Sequence, residues 1–413
     1  MVSSELVPGV HLHIRTETKF RTQILCVTFL WPMKREMRAA SFLLSHLLSD
    51  TTLHYPRKQD LLAHLDNLYG ASLHVINTPR GTCDRLKFTV SGVHVPGIND
   101  DLAEQLAELL KECIFFPRLE QGAFPQAMFE ECRDQAAMTV RLARDDPQTR
   151  CMEAAAEHYG GSMALRSLPQ AEEIEALSSD ACIRAWNDIR EHARIDIRVL
   201  SDLSEREADS LCRRVFLFAP RTADVTLTSF KPGHKDSVIQ EKDIPQSHIV
   251  MLLESGILFG DPMYSAYILG NGIFGGLPVS LLFQNVREAQ GLCYSIESGL
   301  LRYDGVLRVA TAVEGEHIDE AIESILQQLD VMQRGAFSEE DLAIARRMYV
   351  NIHRSSMDDP SAILSSDYSR ILVPQAFSQK EIIAQFETMK KEAVAEAFSK
   401  LQLKTVSIVR QSS

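Results

Sequence analysis

A histidine on a helix-like stretch is the first residue whose type and position could do metal chemistry. The segment Phe42–Pro56 reads FLLSHLLSDTTLHYP, with His46 and Asp50 four residues apart. Residues at i and i+4 share one face of a helix, so an imidazole and a carboxylate there could bind one cation. Catalytic zinc needs three protein ligands and a water, however, and we identify no third ligand. A capping or hydrogen-bonded His46 is therefore favoured over a metal ligand.

Two further histidines lie close together near the start of the chain. His11 and His13 occur in VHLHIRT, where strand spacing puts both side chains on one face. A zinc site would again need a third ligand, and none is near in sequence. The pattern favours a pair of histidines on the surface of a strand, with metal binding as the alternative.

An arginine and a tyrosine form the second candidate site. Arg287 and Tyr294 lie in the segment Asn271–Leu300, which reads NGIFGGLPVSLLFQNVREAQGLCYSIESGL. A phenol can donate a hydrogen bond to a developing oxyanion, and a guanidinium can hold a peptide carbonyl. In the structural alternative, Arg287 caps a helix that stops at Gly291, and Tyr294 packs at the start of the next strand.

Composition limits the class of protein and of partner. The chain has 413 residues, 45% hydrophobic and 24% charged, which is typical of a globular protein with two or more domains. A formal net charge of −13 without a basic run argues against nucleic acid or an anionic membrane as a partner. Residues 1–20 lack the apolar core of a signal peptide, and no stretch resembles a membrane span. Eight scattered cysteines without a C-x-x-C motif predict a cytoplasmic location.

An internal repeat divides the chain. Residues 122–147 read GAFPQAMFEECRDQAAMTVRLARDDP, and residues 335–360 read GAFSEEDLAIARRMYVNIHRSSMDDP. GAF and DDP keep the same spacing in both copies, and each GAF begins a long helix that stops near DDP, because the residue before proline avoids helical backbone. Two arginines recur at the same offset: Arg133 matches Arg346, and Arg141 matches Arg354.

The flanks of the repeat agree with a duplication. Leu102–Cys113 and Ile318–Leu329 are amphipathic helix patterns, and each precedes its GAF motif. A helix followed by a strand closes each copy, at residues 181–201 and 392–410. The two copies therefore share their order of elements.

The predicted organisation is two tandem α+β halves. Alternating strand patterns come early in each half, as in QILCVTFLW and RLKFTVSG in the first and HIVMLLES and GVLRVATAV in the second. A stretch with weak periodicity, rich in Lys, Asp, Pro, Ser and Thr, predicts a linker between them. The predicted boundaries are 1–216 for the first half, 217–245 for the linker and 246–413 for the second half.

These features resemble the insulinase/pitrilysin family of metallopeptidases. The run from Arg287 to Ser295, REAQGLCYS, is similar to the Arg-Glu-x-x-Gly-Leu-x-Tyr-Ser run in the second half of that family, and the tandem halves extend the resemblance over essentially the whole chain. The resemblance implies antiparallel-rich sheets with helices on one face. It is strongest to the YfmF-like bacterial members, which lack the zinc motif and are encoded beside a zinc-bearing relative.

The resemblance also implies a zinc helix without its ligands. The family binds zinc through an inverted H-x-x-E-H motif and a distant glutamate, and the motif glutamate is the general base. The motif is usually followed, ten residues later, by the proline of a Tyr-Pro pair, which matches Tyr55–Pro56 here. In that register Phe42 replaces the first histidine and Ser45 the glutamate, and only His46 remains.

The distant glutamate is expected seven residues after an acidic residue near the start of the long helix. Counted from Glu131, that position is Met138, so a methionine stands where the family has its zinc-binding glutamate. Glu130 and Glu131 are the alternatives if the register differs. On this alignment the first half is a pseudo-peptidase domain that holds no metal.

The implied function is that of an accessory subunit. In the family, an arginine and a tyrosine of the second half reach the zinc centre, and they match Arg287 and Tyr294. Some members are heterodimers in which one chain carries zinc and the other the Arg/Tyr pair. We therefore expect this chain to bind a peptide or protein substrate and to complete the site of a homologous zinc-bearing peptidase, with no cofactor of its own. Two alternatives stay open: a peptide-binding scaffold without a role in cleavage, and an autonomous metallopeptidase with a non-standard site around His46.

Overall fold

Two mixed β-sheets organise the protein. The structure is a computed structural model that describes residues 1–223, 225–228 and 230–412. Asp224 and Ser229 of the predicted linker, and Ser413 at the end of the predicted second half, lie outside the described residues. The strands are β1 Val2–Val7, β2 Val10–Thr16, β3 Thr22–Pro32, β4 Ser72–Asn77, β5 Cys83–Val93, β6 Arg194–Ser201, β7 Asp236–Lys242, β8 Ser247–Glu254, β9 Cys293–Leu301, β10 Val306–Val313 and β11 Gln402–Gln411.

Helices fill the segments between the strands. The α-helices are α1 Arg38–Leu47, α2 Lys58–Asn67, α3 Leu102–Phe115, α4 Gln126–Asp145, α5 Pro147–Tyr159, α6 Gly161–Leu165, α7 Ala171–Glu175, α8 Ser179–His192, α9 Glu205–Val215, α10 Tyr264–Asn271, α11 Ile318–Gln333, α12 Glu339–Ser356, α13 Pro360–Leu372, α14 Gln379–Thr388 and α15 Lys391–Ser399. Two π-helices, Gly272–Gly276 and Leu282–Ala289, follow α10. None of the helices in the described part of the chain has both the length and the apolar character to cross a bilayer.

The two sheets share one topology, which confirms the predicted α+β class and the tandem halves. Their strand orders are β1-β2-β6-β3-β5-β4 and β7-β11-β8-β10-β9. Without β1, the first order matches the second strand for strand. β6 runs parallel to β2 and antiparallel to β3, and β11 likewise runs parallel to β7 and antiparallel to β8.

The repeated arginines make equivalent contacts in the two halves. On α4, Arg141 binds Glu175 of α7, with an N–O distance of 2.6 Å. On α12, Arg354 binds Glu387 of α14 at 2.9 Å. The sequence repeat therefore preserves an ion pair between the long helix and the short helix that comes later in the same half.

Packing divides the chain into two units that exchange segments. The first unit comprises residues 1–141, 168–226 and 359–365, and the second comprises 142–167, 227–358 and 366–413. The helix that follows each DDP motif is thus assigned, wholly or in part, to the unit of the other half. The linker prediction does not account for β7, a polar edge strand paired with β11, because its charged side chains obscure the alternation of a buried strand.

In the first unit, both faces of the sheet are covered. One face builds the large core, where Val27, Phe29 and Phe88 pack under helices that include α1, α3 and α8. The opposite face contributes a smaller cluster in which Ile24, Cys26 and Leu200 pack against Ile363 and Leu364 of α13. The expectation of helices on one face is therefore wrong in this detail. The segment that covers the second face comes from far along the chain.

The second unit repeats this arrangement. Its strands place Val250, Leu252 and Val306 against Cys151 and Ala155 of α5. The residues that alternate with them on β8, namely Ile249, Met251 and Leu253, are equally buried on the other face. A helix from the chain segment after DDP therefore covers the second face of this sheet as well.

A buried ion pair holds the start of α1 against the first sheet. The Arg38 guanidinium donates to Asp84 Oδ1 at 2.9 Å and to Asn77 Oδ1 at 3.0 Å. Ser41, one turn further along α1, donates to Asp84 Oδ2 at 2.8 Å. The side chains of Arg38 and Asp84 are 2% and 1% exposed, so water cannot replace either partner. Removing either Arg38 or Asp84 would leave the other as an unpaired buried charge.

We expect Asp84→Ala to lower the free energy of unfolding of the first unit by about 3–5 kcal/mol, the usual cost of an unpaired buried charge. Trp31 and Trp186, the two tryptophans of the chain, both lie in the core of this unit, so urea denaturation followed by tryptophan fluorescence reports on it. The control is Arg213→Ala, which breaks an exposed pair with Asp209 and should cost less than about 1 kcal/mol. Equal losses in the two variants would contradict a stabilising role for the buried pair.

Candidate functional site

The helix predicted to carry the degenerate zinc motif is α1, and two of its motif positions offer no metal ligand. Phe42 packs against the core of the first unit, and the centre of its ring lies 5.4 Å from that of His46. Ser45 is 9% exposed, and its hydroxyl donates to the backbone carbonyl of Phe42 at 2.7 Å. A phenyl ring and a hydroxyl bonded within its own helix thus stand at these two positions.

His46 is half-buried. Burial lowers the pKa of His46, and the opposing effect of Asp50 does not reverse this, so the imidazole is neutral at pH 7. The Asp50 carboxylate is held elsewhere: Lys58 Nζ donates to it at 2.7 Å and Ser49 Oγ at 2.9 Å. The two-ligand set of His46 and Asp50 considered from the sequence would therefore require these hydrogen bonds to break.

The long helix α4 contacts the end of α1 and the loop that follows it. Thr51 Oγ1 lies 3.2 Å from Met128 Sδ, and Cys132 Sγ lies 3.9 Å from His46 O. Met138, further along α4, is 51% exposed. Its thioether suits softer metals than catalytic zinc.

The alternative acidic residues do not complete a ligand set. Glu130 and Glu131 are exposed on α4, where they accept hydrogen bonds from Gln126 and Gln135, respectively. In the described ranges, the one place where three metal-ligating atoms approach one another is formed by Glu314, Glu316 and His317 of the second unit. The donor set around His46 does not fit a catalytic zinc, which takes three protein ligands.

The second predicted site is built at the end of the π-helix Leu282–Ala289. Arg287 Nε donates to the backbone carbonyl of Tyr294 at 2.9 Å. Its guanidinium carbon lies 4.5 Å from the centre of the Phe283 ring, and Nη1 lies 3.4 Å from Glu288. Gly291 turns the chain between them with φ of +67°, a conformation that glycine adopts without strain. These contacts hold the Arg287 side chain against the first residues of β9.

Tyr294 is held by its backbone while its side chain remains free. The side chain is 76% exposed, the largest exposure among the large hydrophobic residues of the described chain. It lies on β9, an edge strand whose strand neighbour in the sheet is β10. Of the structural alternative, in which both residues only stabilise the fold, the part for Arg287 agrees with its bond to nearby backbone. The part for Tyr294 does not, because its side chain is exposed rather than packed at the edge of the sheet.

Sequence reasoning missed the edge strand β4, the topological equivalent of β9. It pairs with β5, and the structure assigns no strand to its other side in the described residues. The signal was the alternation of Leu73 and Val75, which face the core, with His74 and Ile76, which are exposed. Because α1 packs beside β4, the motif helix lies next to unpaired backbone groups.

Comparison with known proteins agrees with this geometry. Residues 191–349 match the family model described as "Peptidase M16 inactive domain". "Probable inactive metalloprotease YmfF" of Bacillus subtilis (strain 168) is 26% identical over 97% of this chain and 96% of its own length. A crystal structure of a peptidase M16 inactive domain from Pseudomonas fluorescens has the same fold, with a TM-score of 0.83, 17% identity and coverage of 100% of this chain and 98% of that one.

The chain is therefore similar to the M16 peptidases, and the matched family model covers its residues 191–349. This is the insulinase/pitrilysin family of the sequence resemblance, and the relative carries the name YmfF rather than YfmF. A conserved protein from Enterococcus faecalis V583 has the same fold with a TM-score of 0.94 at 24% identity, and the match covers 100% of this chain and 98% of the other. A further M16 relative, "Uncharacterized zinc protease YmxG" of B. subtilis (strain 168), is 23% identical over 39% of this chain and 40% of its own length.

The register of the M16 motif can be tested by restoring ligands. Phe42→His with Met138→Glu adds two donors beside His46, and we expect this double variant to bind about one zinc per chain in equilibrium dialysis. The control adds His46→Ala to the double variant, which should abolish binding because two donors do not hold catalytic zinc. A folded double variant that binds no zinc, or equal binding with and without His46, would contradict the register.

Proposed function

We propose that this M16 chain is the non-zinc subunit of a two-chain peptidase. It binds the peptide substrate and presents Arg287 and Tyr294 to the active site of a homologous, zinc-bearing partner. The asymmetry between its two candidate sites supports this function. The first lacks a ligand set, whereas the second keeps both residue types, with Arg287 bonded to the backbone of an exposed Tyr294.

The exposure of Tyr294 is the observation that carries the proposal. An aromatic side chain that is 76% exposed contributes little to the stability of its own fold. Aromatic and arginine side chains are, however, enriched among the residues that dominate binding. The hydrogen bond from Arg287 to the Tyr294 carbonyl fixes the backbone below the phenol. The Tyr294 hydroxyl is therefore available to donate to an oxyanion that another chain binds.

Peptide binding is supported by the two open sheet edges. β4 and β9 occupy equivalent positions in the two sheets, and each has a single strand neighbour in the described parts of the chain. An unpaired edge can add an extended peptide as a further strand through main-chain hydrogen bonds, with little preference for sequence. This mode of binding serves either a cleaving complex or a scaffold, so it does not separate those two functions.

A cytoplasmic site of action fits the cysteines. All eight are buried and unpaired, and burial raises the pKa of Cys113, Cys182 and Cys212 to about 12. Thiols of this kind are neutral packing groups rather than nucleophiles or disulfide partners. Such a thiol inventory suits a reducing compartment.

We expect Arg287→Ala and Tyr294→Phe each to lower the turnover of the complex about 100-fold, the usual effect of removing one donor to an oxyanion. The tagged chain is purified from its own cells with the bound partner, and cleavage of a quenched fluorescent peptide library is measured. Both variants should retain the partner and its zinc, because neither residue lies in the core.

The matched control is Arg334→Ala, which removes an exposed arginine that pairs with Asp330 on α11 of the same unit. Its complex should cleave at the rate of the unchanged protein. Unaltered cleavage in the Arg287→Ala and Tyr294→Phe complexes would contradict the role in trans. Peptide binding without cleavage by any purified complex would instead favour the scaffold alternative.

A further inference from the structure

Three polar side chains form a connected chain across the first sheet. Ser3 lies on β1, His13 on β2 and Asp196 on β6, three strands that are neighbours in the sheet. Ser3 Oγ lies 2.8 Å from His13 Nδ1, and His13 Nε2 lies 3.0 Å from Asp196 Oδ1. Ser3 and His13 are direct partners in the strand register. The order of groups is hydroxyl, imidazole, carboxylate.

The burial of these groups is graded. Asp196 is 0% exposed and His13 is 2% exposed, whereas Ser3, on the edge strand, is exposed. The interpretation of His13 as a strand-surface residue is therefore wrong, because the packing around β2 and β6 encloses it. The buried members are fixed in place, and the hydroxyl at the end of the chain can be reached from solvent.

The buried carboxylate sets the tautomer of the imidazole. Asp196 also accepts hydrogen bonds from Arg194 Nε and Nη2. Burial alone would raise the pKa of Asp196, but the hydrogen bonds from His13 and Arg194 outweigh it and hold the pKa below its usual range. An ionised carboxylate only accepts, so His13 donates from Nε2, and Nδ1 is the ring nitrogen that faces the Ser3 hydroxyl.

We propose that Ser3, His13 and Asp196 form a nucleophilic triad that hydrolyses small carboxylic esters. Geometry and roles define such a triad, and the arrangement of base, orienting carboxylate and hydroxyl is met here. In the usual triad, Nε2 of the histidine faces the nucleophile and Nδ1 faces the carboxylate. Here Nδ1 faces Ser3 and Nε2 faces Asp196, and the proton transfer is the same. The activity is separate from the function proposed above, since none of the three residues belongs to either M16 site.

The reaction balances without a cofactor. Ser3 Oγ bonds to the ester carbonyl carbon as its proton passes to His13 Nδ1. The bond to the alcohol oxygen breaks, and His13 returns the proton to that oxygen. Water then attacks the acyl-Ser3 carbon with His13 as the base, which releases the carboxylic acid and restores the hydroxyl.

The surroundings limit the substrate and the rate. Ser3 lies on an edge strand whose one neighbour in the described residues is β2, so a small ester can approach from the open side. Arg194 shares the Asp196 carboxylate and reduces the negative charge available to His13. We therefore expect a slow turnover.

The test is covalent labelling of the full-length chain with a fluorophosphonate probe, with the modified residue located by mass spectrometry. Ser3 should be labelled in the unchanged protein, and Ser3→Ala should abolish both the label and the hydrolysis of p-nitrophenyl acetate above background. Ser4→Ala is the matched control, because Ser4 is the next residue on β1 and points to the other face. It should label at the unchanged rate.

His13→Gln separates catalysis from structure. Loss of the base should slow labelling about 100-fold or more, while the thermal melting curve shows whether the chain still folds. Because His13 is buried, the decisive result is the labelling of the unchanged protein. Absence of label on Ser3, or labelling that His13→Gln leaves at the same rate in a folded chain, would overturn the proposal.

Discussion

In each sheet the last strand of the half lies between two earlier strands, and the pairing of the half depends on its insertion. β6 lies between β2 and β3, and β11 lies between β7 and β8. Without β6, strands β2 and β3 have no common neighbour, and the same holds for β7 and β8 without β11. Pairing strands so far apart in sequence costs loop-closure entropy, and the burial of these strands offsets that cost only once they have paired. The helices between the early strands and the last one, including α1 of the first half, lie in the chain segment that this pairing closes.

The position of α1 does not depend on a metal, because the helix is held by other contacts. Arg38 and Ser41 both bond to Asp84 beneath the helix, and the apolar face of α1 contributes to the large core. Phe42, which the sequence resemblance aligns with the first histidine of the motif, packs against that core. The α1 helix is thus held in place without a metal, while the second half keeps Arg287 bonded to the backbone of an exposed Tyr294.

Much of the architecture could be read from the sequence, and the failures have physical causes. Buried strands such as β3 and β5 alternate clearly, and the GAF and DDP motifs fixed the helices of both halves in register. β7 was hidden because an exposed edge strand carries charges on its solvent side. The exchange of α5 and α13 between units changes the partner of a helix but not its pattern. The chain of Ser3, His13 and Asp196 was out of reach because strand neighbours, not sequence neighbours, bring the three together.

The most direct test of the central claim, that this chain has no zinc site of its own, is the zinc content of the untagged protein. The chain is dialysed against trace zinc, and metal is measured by elemental analysis against protein concentration. A ratio near zero is expected, because the Phe42–His46 segment and Met138 offer a single imidazole where three ligands are needed. One zinc per chain would contradict the claim, and His46 with an acidic residue near Glu131 would then be the first ligands to replace.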